Sequence, residues 1–87
     1  MSKTQAGTRV YPGQDNDLFL AEGQYGKHPN GTWYARPPGS MMGNLSNHEV
    51  TEHEDGTITV SPSILVTELG SGKQWHGFLE HGIWREC

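Results

Sequence analysis

The chain has 87 residues, 32% of them hydrophobic, and a formal net charge of −4. A chain this short forms one small domain around a single core, and its low apolar content leaves much of it as loop. The six Lys and Arg residues do not cluster, which excludes the basic patch that nucleic-acid binding needs. Twelve glycines and five prolines favour turns over helices. We therefore expect a mostly-β protein that does not bind nucleic acid.

The cysteine content and the apolar runs indicate the cellular setting. Cys87 is the single cysteine, which rules out an internal disulfide and a cysteine cage for a metal within one chain. No stretch approaches the roughly 20 apolar residues that span a membrane, and the N-terminal residues lack an apolar run of signal-peptide length. We expect a protein of the reducing cytoplasm with no membrane partner and no cofactor.

The N-terminal third is predicted to be irregular. Residues 1–31 are poor in apolar side chains and rich in Gly, Asn, Gln and Asp, so we expect an arm or loops there. Asn30-Gly31, a dipeptide typical of tight turns, then leads into a short strand at residues 32–36, which Pro37 ends.

A series of hairpins is predicted from residue 48 onward. Asp55-Gly56 is a strong turn dipeptide, and Ile58 and Val60 alternate with polar residues on the strand that follows it. Further strands are predicted at residues 64–67, 74–79 and 83–85, the last two joined by a turn at His81-Gly82. The fold prediction is thus a small single domain, with an antiparallel meander of about five or six short strands over residues 32–87.

Ser63 and His76 lie on two neighbouring predicted strands. Side chains alternate between the two faces of a strand, so the length of the connecting loop decides whether these two share a face. A two-residue loop, or a four-residue loop at Leu69–Gly72, puts both on one face. The four-residue loop makes them diagonal neighbours about 7 to 8 Å apart. A loop of three or five residues puts them on opposite faces.

A serine and a histidine that meet can carry out nucleophilic catalysis. The imidazole removes the hydroxyl proton, and a carboxylate commonly orients the imidazole. Ser63 is the candidate nucleophile and His76 the candidate general base. In the alternative interpretation, Ser63 only begins a strand and His76 is only a packed aromatic residue. The sequence does not choose among five candidates for the third group, which are Glu52, Glu54, Asp55, Glu68 and Glu80.

Metal binding is a competing interpretation of the histidines. HEVTEH at residues 48–53 lacks the second histidine of the HExxH zinc motif at the required position. His48 and His53 should also point to opposite faces of a strand, because their separation is odd. A second possible metal site uses four side chains of types that bind zinc, but their spacing in the sequence matches no known zinc motif. These residues are His53, His76, His81 and Cys87. We therefore predict no metal site.

The C-terminal third carries a resemblance to a known family. Ser-Pro-Ser-Ile at residues 61–64 precedes Trp-His-Gly-Phe-Leu at residues 75–79, and Gly82 and Trp84 follow. This arrangement resembles a small domain family of phages and prophages, which bacterial ubiquitin-like conjugation operons also encode as their protein E. Members of that family show a Pro-Ser-Ile/Val element, a histidine beside an aromatic residue, and then a glycine and an apolar strand.

The resemblance implies a serine-peptidase-like or deconjugating activity toward ubiquitin-like proteins. It implies Ser63 as the nucleophile and His76 as the base. Relatives often have Cys or Ser directly before the histidine, where this chain has Trp75, so a binding role without catalysis stays open.

Two functions from different classes are therefore predicted. The first is a small peptidase-like hydrolase that acts on proteins or ubiquitin-like conjugates in the cytoplasm of a bacterial host. The second is a phage accessory protein that binds and modulates a host protein, for example as an inhibitor of a defence system. Its binding surface would be the acidic loops of residues 44–56 or the aromatic hairpin of residues 75–84. Exposed strand edges in a small sheet also make a homodimer an expectation.

Overall fold

The computed structural model describes residues 3–13 and 18–87. Those residues form nine β-strands and no helix, so they include no helix long and apolar enough to cross a membrane. In chain order the strands are β1 (Lys3–Ala6), β2 (Thr8–Val10), β3 (Gln24–Lys27), β4 (Trp33–Ala35), β5 (Gly43–Asn44), β6 (Glu49–Glu52), β7 (Ile58–Thr67), β8 (Gln74–Glu80) and β9 (Ile83–Glu86).

The strands form two sheets. One has five strands in the order β1-β9-β8-β7-β6, and each neighbouring pair in it is antiparallel. The other has four strands in the order β2-β3-β4-β5, in which β2 and β3 are parallel and the other pairs are antiparallel. The prediction of a small, mostly-β single domain is confirmed, and β6 to β9 form an antiparallel meander.

The turns of the meander lie where the sequence predicts them. Gly56, with a φ of 88°, turns the chain between β6 and β7, where the His53 N–H donates to the Thr57 carbonyl at 2.8 Å. His81 and Gly82 connect β8 to β9 with φ values of 50° and 76°. Two successive residues with positive φ are typical of a type I′ turn, whose twist matches that of the flanking strands.

The core lies between the two sheets and takes side chains from both. The Trp75 and Trp84 rings meet edge to face with their centroids 5.5 Å apart, a favoured geometry for aromatic pairs. Trp84 Nε1 also donates to the Gly23 carbonyl at 2.9 Å, which connects β9 to the loop before β3. The buried core residues are Tyr25, Ala35, Leu45, Ile58, Val60, Ile64, Val66, Trp75, Leu79 and Trp84.

The N-terminal region contains more strand than the sequence indicates. Within residues 1–31, expected to be irregular, the structure describes β1, β2 and β3, while residues 1, 2 and 14–17 lie outside the described part of the chain. β5 is likewise not predicted by the sequence, whereas the strand predicted after Gly56 and the one predicted at residues 64–67 form the single strand β7. Residues 32–87 therefore hold six strands, within the expected five or six, and β1 to β3 are additional. These strands form because pairing with other strands satisfies their backbone N–H and C=O groups, although they lack apolar alternation.

Candidate functional site

The register between β7 and β8 places Ser63 and His76 on the same face of the sheet. Leu65 lies opposite His76. The Glu68 N–H donates to the Lys73 carbonyl at 2.7 Å, so the loop between them has four residues. Four residues is one of the two loop lengths for which the sequence predicts a shared face, and the pairing of Leu65 with His76 is the one expected for that length.

The side chains of Ser63 and His76 lie within hydrogen-bond distance. Ser63 Oγ and His76 Nε2 are 2.9 Å apart. β7 is irregular around Ser63, because its register with β8 shifts between Val60 and Ile64 and the Ser61–Pro62 peptide bond is cis. The hydroxyl donates to Nε2 when the neutral imidazole carries its proton on Nδ1, which is the tautomer that a general base needs.

The pair lies on the outer face of the five-stranded sheet, away from the core. His76 is exposed and Ser63 is half-buried. Phe78 continues this face along β8, with the Arg85 guanidinium 4.4 Å from its ring centroid. The His76 imidazole is therefore accessible to solvent, and the Ser63 hydroxyl is partly so.

No carboxylate among the described residues hydrogen-bonds to His76. Glu52 pairs with Arg9 at 2.7 Å, and Glu80 pairs with Arg85 at 2.9 Å. Two further candidates have other partners, namely Asp55, which accepts from Thr57, and Glu68, which accepts from Ser71. Within the described part of the chain, the Ser63–His76 pair therefore has no third, carboxylate member.

A second histidine reaches Ser63 through the backbone. His48 Nε2 donates to the Ser63 carbonyl at 3.0 Å, while His48 Nδ1 is buried and has no hydrogen-bond partner within the described residues. The contact between His48 and Ser63 is not among the predictions from the sequence. In the sequence, the one feature that points to this contact is the predicted β6–β7 hairpin. Its register places Glu49 opposite Ser61, so His48, the residue before Glu49, lies near the part of β7 that follows Ser61. His48 holds the main chain of the nucleophile candidate in position.

The other histidines do not assemble into a metal site. The rings of His53 and His81 stack with centroids 3.7 Å apart and an interplanar angle of 4°. His53 Nε2 also lies 2.7 Å from Thr59 Oγ1. Cys87 is exposed. Within residues 3–13 and 18–87, no group of three or more His, Cys, Asp or Glu side chains lies close enough together to hold a metal ion.

No protein-family model, curated protein or solved structure matches the chain. The resemblance to the phage family and to protein E of the ubiquitin-like operons stays a prediction from the C-terminal third of the sequence.

Proposed function

We propose that this protein is a small phage-type Ser/His hydrolase of the bacterial cytoplasm, which acts on proteins or ubiquitin-like conjugates. The observation that supports this function most is the 2.9 Å separation between Ser63 Oγ and His76 Nε2. A serine hydroxyl becomes an effective nucleophile only when a neighbouring base takes its proton, and the His76 imidazole is the base within reach.

The proposed reaction begins when Ser63 Oγ bonds to the carbonyl carbon of an amide or ester, while the hydroxyl proton moves to His76 Nε2. The bond between that carbon and the leaving group then breaks, and the imidazolium returns the proton to the departing amine or alcohol. Water, deprotonated by the same imidazole, attacks the acyl-serine and releases the acid product and the free hydroxyl.

The missing carboxylate partner sets the expected rate. No described carboxylate orients His76, and in serine proteases the loss of the orienting aspartate function lowers kcat by about 10⁴-fold. We therefore expect slow turnover on small esters. Covalent labelling of Ser63 is easier to detect than product release under those conditions.

Labelling by a fluorophosphonate probe tests the proposed function. We expect labelling of the wild type, none in Ser63→Ala, and labelling about 100-fold slower in His76→Ala, because the hydroxyl then lacks its base. Ser61→Ala is the matched control, since it removes an exposed serine hydroxyl from the same strand, and it should react at the wild-type rate. Labelling that persists in Ser63→Ala contradicts the proposal.

A second function, binding without catalysis, is favoured by the exposure of His76 and by its lack of a carboxylate partner in the described residues. In this function the protein is a phage accessory protein that binds and modulates a host protein, such as a component of a defence system. Wild-type protein that the probe does not label, together with partner binding that Ser63→Ala leaves unchanged, would support it.

A further inference from the structure

One edge of the five-stranded sheet is only partly covered. β6 pairs with β7 only as far as Ser61, which lies opposite Glu49. Before Glu49 the chain turns away, with the His48 N–H donating to the Leu45 carbonyl at 2.9 Å. Within the described residues, Ile64–Thr67 of β7 therefore has a neighbouring strand only on the β8 side.

The uncovered edge presents the backbone groups of Leu65 and Thr67. In an antiparallel pair, residues that exchange hydrogen bonds alternate with residues whose N–H and C=O point to the other side. The Glu68 N–H donates to β8 across the hairpin at 2.7 Å, so Glu68 is one of the residues that hydrogen-bond to β8. By alternation, the N–H and C=O groups of Leu65 and Thr67 point away from β8, toward the uncovered edge. Consistent with this, His76, opposite Leu65, accepts from the Cys87 N–H on its β9 side at 2.9 Å.

A groove of about 350 Å³ lies along this edge. Residues 41–45 form one wall and residues 64–67 the other. The two walls approach closely at Gly43, where an added Cβ would lie 3.1 Å from Cγ2 of Val66. The groove is rimmed by exposed apolar side chains, with relative exposures of 37% for Met41, 45% for Met42, 56% for Leu65 and 86% for Leu69. Contiguous exposed apolar side chains mark interaction surfaces.

A single extended peptide fits both the backbone groups and the groove. A strand placed beside Leu65 can bond to its N–H and C=O, and alternate side chains of that strand point toward the apolar lining. Residues 41–45 line the same groove and supply Met41 and Met42 as apolar contacts for such a strand.

The charge of the surroundings indicates which residues should flank the peptide. The lining residues include no Lys or Arg, and the chain as a whole carries a net charge of −4. Glu49 and Glu68 each follow directly on a lining residue, His48 and Thr67 respectively. Basic residues on either side of an apolar peptide segment are therefore complementary to this surface.

We propose that the groove between residues 41–45 and 64–67 binds an extended peptide of a partner protein by strand addition to β7. The peptide carries apolar side chains at alternate positions and Lys or Arg at its flanks. The site does not require the hydroxyl of Ser63 or the imidazole of His76, so it stands independently of hydrolysis.

A defined peptide library tests the site. The probe is a set of fluorescein-labelled synthetic peptides of about eight residues, with Lys at both ends and Leu, Ile, Val, Phe or Met at alternate positions. Members are expected to bind the full chain in fluorescence polarisation, with amide chemical-shift changes centred on Leu65 and Thr67. N-methylation of the peptide amides that face β7 is expected to weaken binding by about tenfold or more, because it removes the strand pairing.

Substitutions in the groove provide the matched comparison. Met42→Lys and Leu69→Lys place a charge at exposed positions, so the fold is retained while peptide affinity falls by about tenfold. Ile83→Lys adds the same charge at an exposed apolar residue on β9 and should bind within about twofold of the wild type. Ser63→Ala should bind as the wild type does, so a failure of hydrolysis and a failure of peptide binding are measured separately.

The proposal is overturned by a library that contains no binder, by binding that N-methylation leaves unchanged, or by shifts centred away from β7. A dimer in sedimentation that Met42→Lys dissociates also overturns it, because a second copy would then occupy the groove.

Discussion

At the residue scale, the Asp55 carboxylate stabilises the turn between β6 and β7. It accepts hydrogen bonds from the Thr57 hydroxyl at 2.6 Å and from the Thr57 N–H at 3.0 Å. These bonds hold the pKa of Asp55 below its ordinary value of 3.8. Because the folded-state pKa is lowered, the stabilisation is fully present above the unfolded pKa and is lost as the pH falls through the folded one.

We expect Asp55→Asn to weaken the acid dependence of stability. Asn keeps an acceptor oxygen but has no charge, so the variant should lose less stability than the wild type between about pH 5 and about pH 2.5. Urea unfolding at the two pH values measures this. Glu54→Gln, at an exposed neighbouring carboxylate, is the control and should retain the wild-type profile. Identical acid dependence in Asp55→Asn and wild type would refute the role of this carboxylate.

The sequence reduces the meeting of Ser63 and His76 to the length of one short loop, because side chains alternate along a strand. It does not choose that length, and it does not predict the register shift between Val60 and Ile64 beside Ser63. The contact of His48 with the Ser63 carbonyl could not be predicted in this way. His48 precedes β6, and its position depends on where β6 stops pairing with β7. The lack of a carboxylate beside His76 likewise depends on ion pairs across the fold, such as that between Glu52 and Arg9.

At the element scale, two glycines in the hairpin turns have left-handed backbones but different surroundings. Gly82 has a φ of 76°, and a Cβ there would lie 2.8 Å from Tyr25 Oη and 2.9 Å from Thr57 Cγ2. Gly70 has a φ of 93°, and nothing lies within 4 Å of the position that a Cβ would occupy. The β8–β9 turn is therefore packed against the rest of the fold, and the β7–β8 loop is open at this position.

We expect Gly70→Ala to lower the free energy of unfolding by about 1 kcal/mol, the cost of the left-handed conformation. Gly82→Ala should lower it by about 1–3 kcal/mol more, because the added methyl group must also displace its neighbours. Urea unfolding of both variants measures the difference. Equal losses would show that Gly82 is not packed as described.

The meander of β6 to β9 could be predicted because its turn dipeptides and its alternating apolar residues are local signals. β1, β2 and β3 read KTQA, TRV and QYGK, with few apolar residues to indicate a buried face. β1 forms because it pairs with β9, where Ala6 lies opposite Ile83, far along the chain. Pairing over such sequence distances leaves no local pattern.

At the scale of the whole molecule, Trp84 connects the two sheets. Its side chain is only 1% exposed, its ring meets Trp75 edge to face, and its Nε1 donates to the Gly23 carbonyl. That carbonyl also accepts from the Thr8 N–H at 3.0 Å, so removing the indole does not leave it without a donor.

We therefore expect Trp84→Phe to lower the free energy of unfolding by about 1–3 kcal/mol, through the lost hydrogen bond and the lost volume. Trp33→Phe, at a half-buried ring outside the fully buried core, is the control, with an expected loss below about 1 kcal/mol. Urea unfolding measures both variants. A Trp84→Phe loss no larger than the control would contradict the connecting role of Trp84.

Mass spectrometry that identifies the serine modified by the fluorophosphonate decides whether Ser63 and His76 form a working pair. The predicted result is one adduct, on Ser63, in the wild type, and about 100-fold less of that adduct in His76→Ala after the same exposure. An adduct on Ser61 or another serine, no adduct at all, or an adduct on Ser63 that forms equally fast without the imidazole would contradict the claim.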